Sequence, residues 1–215
     1  MNIQAILWDF GGVITSSPFE AFARFERERN LPAGLLRTIN SNNANNNAWA
    51  RFERGDVGYD EFDRLFAQEA RALGFKVGGA EVAQLLYGDI RPSMVTALQR
   101  LKGRFRNACV TNNFNTGIGH GLPVSEARAK QVAEVMSLFD QVIESSKVGA
   151  RKPEPRFYEL ALEAVGATPE QVVYLDDLGI NLKPARALGM HTIKVTDADT
   201  ALAELEAVLG IDLRY

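Results

Sequence analysis

Two apolar runs, far apart in the chain, end in the same way. Ile3-Gln4-Ala5-Ile6-Leu7-Trp8 leads into Asp9 and the glycine turn Gly11-Gly12, and Val172-Val173-Tyr174-Leu175 leads into Asp176-Asp177 and then Gly179. Each reads as a buried strand that delivers a carboxylate to its carboxyl edge. In open α/β sheets that edge is where ligands bind and chemistry happens. Carboxylates from two strands at one edge suit a hard divalent cation with oxygen ligands, Mg2+ above all.

The remaining pattern supports such a sheet. After residue 90, short apolar runs alternate with helical periodicity, as expected for parallel strands flanked by helices. Met94, Ala97, Leu98 and Leu101 share a helix face, and Ala108-Cys109-Val110 follows as a strand ending in Thr111-Asn112-Asn113. Val132, Val135, Met136 and Phe139 make the next face, before the short run Val142-Ile143. Phe157, Leu160, Ala161 and Ala164 make another, before the strand that ends at Asp176. Thr192-Ile193-Lys194-Val195 reads as a last strand, with Leu202, Leu205 and Leu209 on a closing helix. The expected fold is α/β, a doubly wound parallel sheet.

Residues 16–90 read differently. Helical faces recur there (Phe19, Phe22 and Ala23; Phe62, Leu65, Phe66, Ala70 and Leu73) and no convincing strand intervenes. The expected organisation is therefore a core of residues 1–15 and 91–215 with a helical insertion, residues 16–90, after the first strand. The asparagine-rich stretch Ser41-Asn42-Asn43-Ala44-Asn45-Asn46-Asn47 within it reads as a solvated loop or helix end.

A chain of 215 residues can bury a substantial core, and 46% hydrophobic with 24% charged residues is ordinary for a globular protein. The net charge of −3 carries no basic footprint for nucleic acid. No run approaches the ~20 apolar residues that span a bilayer. The amino terminus does not read as a signal peptide. The single cysteine, Cys109, lies in an apolar run and reads as a buried inert thiol, so a cytoplasmic setting is expected. No membrane or nucleic-acid partner is expected, and periodicity does not reveal the oligomeric state. No histidine or cysteine grouping has zinc spacing.

Asp9, Thr111-Asn112, Arg151-Lys152-Pro153 and Asp176-Asp177 with Asn181 all fall at strand ends. An aspartate beside Mg2+ can attack phosphorus and carry a phosphoryl group. Thr111 and Asn112 could hold the phosphate oxygens, Lys152 could neutralise charge, and Asp177 would complete the metal site. One aspartate of the 176–177 pair is expected to cap the helix beginning near Ile180. Asn181 would orient that loop. His191 reads as a structural residue at the start of a strand, and His120 lies in the glycine-rich stretch of residues 117–121.

On these residues the chain resembles the haloacid dehalogenase superfamily of aspartate-nucleophile hydrolases, in particular the phosphatase-like amino-terminal domain of soluble epoxide hydrolase and related acyl-CoA dehydrogenase family domains. The segment from Tyr174 through Asp176-Asp177 and Asn181 to Met190 resembles that subgroup's fourth motif, Thr111-Asn112-Asn113 the second, and Lys152-Pro153-Glu154-Pro155 the third. The resemblance implies a Rossmann-like catalytic core with a mobile helical cap. It also implies catalytic Asp9 and Lys152, substrate-binding Thr111 and Asn112, metal held by Asp9, the Gly11 carbonyl and Asp177, and support from Asp176 and Asn181. The implied activity is Mg2+-dependent hydrolysis of a small phosphorylated metabolite through an aspartyl-phosphate intermediate. The family's phosphatases carry an acid/base aspartate two positions after the nucleophile, where this chain has Gly11, so slow or leaving-group-dependent activity is expected. Dehalogenation at the same aspartate is an alternative, as is a non-catalytic phosphate-binding or interaction role.

Overall fold

The computed structural model describes residues 2–86, 88–113 and 126–213. Among these residues, β1 (Ala5–Trp8), β2 (Arg106–Thr111), β3 (Gln141–Glu144), β4 (Val172–Asp176) and β5 (His191–Lys194) form one sheet in the order β3-β2-β1-β4-β5. Every pairing is parallel. The chain builds outward from β1 through β2 to β3, then returns to the other side of β1 for β4 and β5. β1 is therefore the switch point, beside which open α/β sheets form their ligand crevice.

Alternation along the central strand assigns the two faces. Ile6 and Trp8 pack with Met94, Ala97, Leu98 and Leu101 of α6 (Pro92–Leu101) and with Leu202 and Leu205 of α11 (Ala198–Leu209). Ala5 and Leu7 point the other way, to Phe157, Tyr158 and Ala161 of α9 (Pro155–Val165) and Leu182 and Ala185 of α10 (Gly179–Leu188). Both faces are covered, which is why β1 and β4 are buried along their whole length. Pro92 at the first turn and apolar residues at i, i+3, i+4 and i+7 explain why α6 starts and packs where it does.

Between β1 and α6 the chain forms α1 (Pro18–Glu28), α2 (Leu35–Ser41), α3 (Ala48–Arg54), α4 (Tyr59–Ala72) and α5 (Gly79–Ala83). These helices bury an aromatic-rich cluster of their own, with Phe52 stacked on Phe62 at 4.4 Å and Trp49 edge-on to Phe62 at 5.5 Å. Two chain segments tie the helices to the sheet. Thr15 and Ile90 form an antiparallel bridge, flanked by Ser16 N–H to Asp89 O at 2.8 Å and Arg91 N–H to Ile14 O at 2.8 Å.

The asparagine-rich stretch is the link between α2 and α3, and Asn47 closes it. Its side chain accepts from Ala50 N–H as the α3 cap and donates to the Asn40 and Asn42 carbonyls. Two remaining helices, α7 (Glu126–Met136) and α8 (Ser145–Val148), flank β3. In α7 only Val135 is buried; Val132 and Met136 are half-buried and line a cavity, and Met136 also packs against the core.

Candidate active site

Sheet register gathers the sequence-predicted residues. Trp8 lies level with Cys109 on one side and Leu175 on the other, so Asp9, Thr111 and Asp176 all emerge at the same carboxyl edge. Lys152 reaches this edge from the loop before α9. Its Nζ lies 2.8 Å from Asp9 Oδ1 and 2.9 Å from Asp176 Oδ2, and its side chain is almost wholly buried. Asp9 Oδ1 also accepts the Phe10 N–H at 2.7 Å, which leaves Oδ2 without a donor among the described residues.

Asp176 is fully buried and saturated with donors. Besides Lys152 it accepts from the Tyr174 hydroxyl, from Leu178 N–H at 2.8 Å and from Asn181 Nδ2 at 3.1 Å. Neither aspartate of the pair is the helix N-cap; Leu178 takes that position, and Asp176 ties down the start of α10 through the Leu178 amide and Asn181. Asn181 in turn accepts the Tyr158 hydroxyl at its backbone carbonyl, at 2.7 Å. Asp176 and Asn181 thus form a rigid support behind Lys152.

The electrostatics are unbalanced in favour of a cation. Oxygens of Asp9, Asp176 and Asp177 lie within 4.8 Å of one another, three carboxylates against one ammonium. Burial pushes the Asp9 carboxyl well above the usual carboxylate range against the pull of Lys152, and the neighbouring aspartates push it further. Burial and Asp176 raise Asp177 as well. Burial works against the Lys152 ammonium, but Asp176 and Asp9 outweigh it and hold its pKa above the ordinary lysine range. An all-oxygen donor set with this excess negative charge fits a hard divalent ion. Asp176 has spent its lone pairs, so Asp9 and Asp177 are the side chains open to it.

The turn after Asp9 brings the two acidic loops together. Gly12 has φ +80°, and a Cβ there would lie 2.3 Å from the Asp177 carboxylate carbon. Only glycine permits that approach. Gly11, by contrast, has an ordinary φ of −70°, and a Cβ there would meet nothing within 4 Å. Its identity is a chemical choice and not a backbone requirement. Ser17, at the entry to α1, donates to Asp177 Oδ2 at 3.1 Å and so links the helical insertion to the acidic cluster.

Asp9, Gly11, Thr111, Asn112, Lys152, Asp177 and Asn181 all border one cavity of about 990 Å3. The hydroxyl of Thr111 has no partner among the described residues. Asn112 is placed differently from the sequence expectation of a side chain directed at substrate. Its Oδ1 accepts Lys152 N–H at 2.9 Å, and its Nδ2 donates to Lys152 O at 3.1 Å and to Glu53 Oε2 at 3.2 Å. His120 and the glycine-rich stretch around it lie outside the described residues.

Sequence reasoning missed Glu53, Trp49 and Ser17, and gave Arg151 no role. Glu53 of α3 accepts from the Arg151 guanidinium, from Asn112 and from Trp49 Nε1 at 3.0 Å. A signal for it existed: one carboxylate, at i+4 from Trp49, on the otherwise apolar face of a helix.

A family model for haloacid dehalogenase-like hydrolases matches residues 3–189. The chain belongs to this haloacid dehalogenase-like hydrolase family. Among haloacid dehalogenase-like relatives, it is 33% identical to bifunctional epoxide hydrolase 2 of Sus scrofa over 99% of its own length and 40% of that protein's. It therefore spans about two-fifths of that relative. It is 29% identical to the sesquiterpene phosphatase astK of Aspergillus oryzae, covering 97% of this chain and 98% of the other. Among solved structures, a haloacid dehalogenase family enzyme of Bacteroides thetaiotaomicron, in complex with magnesium and inorganic phosphate, superposes with a TM-score of 0.59 at 18% identity, covering 89% of this chain and 93% of that one. That likeness shows the fold of this hydrolase. No helix among its described residues is long and apolar enough to cross a membrane.

Proposed function

We propose that this hydrolase is a Mg2+-dependent phosphatase that works through a phosphoaspartate on Asp9. The observation that carries the reading is Lys152 Nζ held between Asp9 and Asp176 at 2.8 and 2.9 Å, on a cavity wall shared with Asp177. Mg2+, held by Asp9, the Gly11 carbonyl and Asp177, would supply charge neutralisation and polarisation of the phosphoryl oxygens. The Asp177 carboxylate beside Asp9 favours this chemistry over dehalogenation, in which no metal charge is required.

The chain's own residues account for the other tasks. Asp9 Oδ2, free of donors among the described residues, attacks phosphorus, while Lys152 holds Oδ1 and offsets the negative charge that gathers on the phosphoryl group. The Thr111 hydroxyl orients a non-transferring oxygen. Asn112 fixes the Lys152 backbone, and Asp176 with Asn181 fixes its ammonium. Helices α1–α5 act as a cap that excludes water during attack.

The cavity gives the substrate a body as well as a phosphate. Phe19, Phe22, Leu86, Val132 and Met136 add apolar lining to the cavity that Asp9 borders. A phosphomonoester with a hydrocarbon body fits it better than a sugar phosphate, and the 29% identical sesquiterpene phosphatase supports that choice. The test is phosphate release from a panel of isoprenyl, alkyl, aryl and sugar phosphates with Mg2+ or with EDTA. Metal-dependent release that favours apolar substrates is expected. Release that survives exhaustive chelation defeats the metal-dependent reading, and chloride release from haloacids without metal replaces it with dehalogenation.

A further inference from the structure

Three residues carry carboxyl groups among the described residues that border the cavity: Asp9, Asp177 and Glu53. Lys152 holds the first, and the second sits in the acidic cluster against Gly12. Glu53 has no task in the phosphoryl transfer described above. It is 6% exposed, and it comes from α3, outside the sheet that supplies Asp9.

Its two oxygens are used unequally. Oε2 accepts from Asn112 and Arg151, whereas Oε1 accepts from Trp49 alone among the described residues. A carboxylate has about four lone-pair sites, so Oε1 keeps room for one more donor. The charged groups facing it are the Arg151 guanidinium and, farther off, the Lys152 ammonium; burial pushes the carboxyl up and these cations pull it down, with burial prevailing. A base displaced toward neutrality in this way is better matched to taking a proton from water.

We propose that Glu53 is the general base of the hydrolytic step, supplying from the cap side the proton acceptor that Gly11 cannot. The inference rests on the phosphatase reading above. In that step the oxygen of a water molecule bonds to phosphorus, and the Asp9 O–P bond breaks with its electron pair returning to the carboxylate. One water proton passes to Glu53 Oε1 and from there to solvent before the next turnover. Formation of the phosphoaspartate receives no such help, so it still depends on the leaving group.

The test follows nitrophenolate release from 4-nitrophenyl phosphate with Mg2+, on the millisecond scale and at steady state, in wild type, Glu53→Gln, Gly11→Asp and the double variant. Glutamine keeps the volume and an acceptor for Arg151, and a Cβ added at Gly11 would meet nothing within 4 Å. Glu53→Gln should release one equivalent in a burst, then turn over about 10²- to 10⁴-fold more slowly than wild type. Gly11→Asp should restore steady turnover in the double variant. Steady turnover of Glu53→Gln within about threefold of wild type overturns the inference. So does loss of burst and turnover together without rescue by Gly11→Asp, the pattern of a residue that only positions Arg151 and Asn112. A wild type that does not turn over this ester defeats the phosphatase reading itself, and the inference falls with it.

Discussion

The Asp176 carboxylate, wholly buried at the end of β4, holds the Lys152 ammonium at 2.9 Å, and Asp9 takes the same ammonium from the other side. Lys152 is thus part of the buried structure as well as of the chemistry. Lys152→Met keeps most of the volume and removes the charge. It should abolish turnover and cost about 3–5 kcal/mol, because two carboxylates are left buried without their cation. Thermal melts in parallel with phosphate release check both effects. The folded-state pKa of Lys152 is raised, so its stabilisation is complete below the unfolded value of about 10.4 and is lost only as pH climbs through the folded value. The ammonium's own contribution to wild-type stability should therefore stay constant from about pH 7 to 9.

Adjacent glycines should respond oppositely to the same change. Gly12→Ala places a methyl group on the Asp177 carboxylate at positive φ and should destabilise the protein by more than about 2 kcal/mol. Gly11→Ala fills open space at an ordinary backbone angle and should stay within about 0.5 kcal/mol of wild type. Denaturant midpoints measured side by side separate the two. A neutral Gly12→Ala would mean that the Asp9 and Asp177 loops do not approach as described.

The proposed closure of α1–α5 would pass through the paired segments at Thr15–Ser16 and Asp89–Ile90, which are held by few hydrogen bonds. Gly88 lies so close that a Cβ there would come within 2.2 Å of the Ser16 carbonyl oxygen. The Glu53–Arg151 and Arg54–Glu154 contacts clasp the same helices to the core. Beryllofluoride, by occupying the phosphoryl position, should slow hydrogen exchange in residues 16–18 and 88–91. Unchanged exchange there would remove support for a closing cap.

Cys109, in the middle of β2 and fully buried, has its thiol pushed far up by burial and then by Asp9. It should resist alkylation in the folded protein at neutral pH and react once the chain is unfolded in denaturant. Rapid native labelling would show that β2 opens on the labelling timescale.

The sheet was legible because its strands announce themselves: β1 and β4 are apolar along their length and each ends in an acidic-glycine turn. Periodicity also placed the face of α6 in the core, and Phe157, Leu160 and Ala161 of α9, whereas Ala164 is exposed and Val165 is buried in its place. For α7 it was right in part: Val135 and Phe139 enter the core and Met136 packs against it, but Val132 and Met136 also line the cavity, since an apolar stripe does not say whether it meets core or ligand. Asp9, Lys152 and Asp177 could be suspected from strand ends and motifs. Glu53 could not be joined to them, because its partners Asn112 and Arg151 lie 59 and 98 residues away in sequence and meet it only through packing of α3 on α8. Asn112 shows the same limit: its type suited a phosphate contact, while the fold engages its amide with the Lys152 backbone.

Phosphorylation of Asp9 is read by intact-protein mass spectrometry after acid quench of a reaction with an aryl phosphate and Mg2+. One added phosphoryl group is expected, mapped to the peptide containing Asp9 and absent in Asp9→Asn, with more of it in Glu53→Gln than in wild type. Turnover by a wild-type protein whose adduct lies on another residue, or by a folded Asp9→Asn at the wild-type rate, would contradict it.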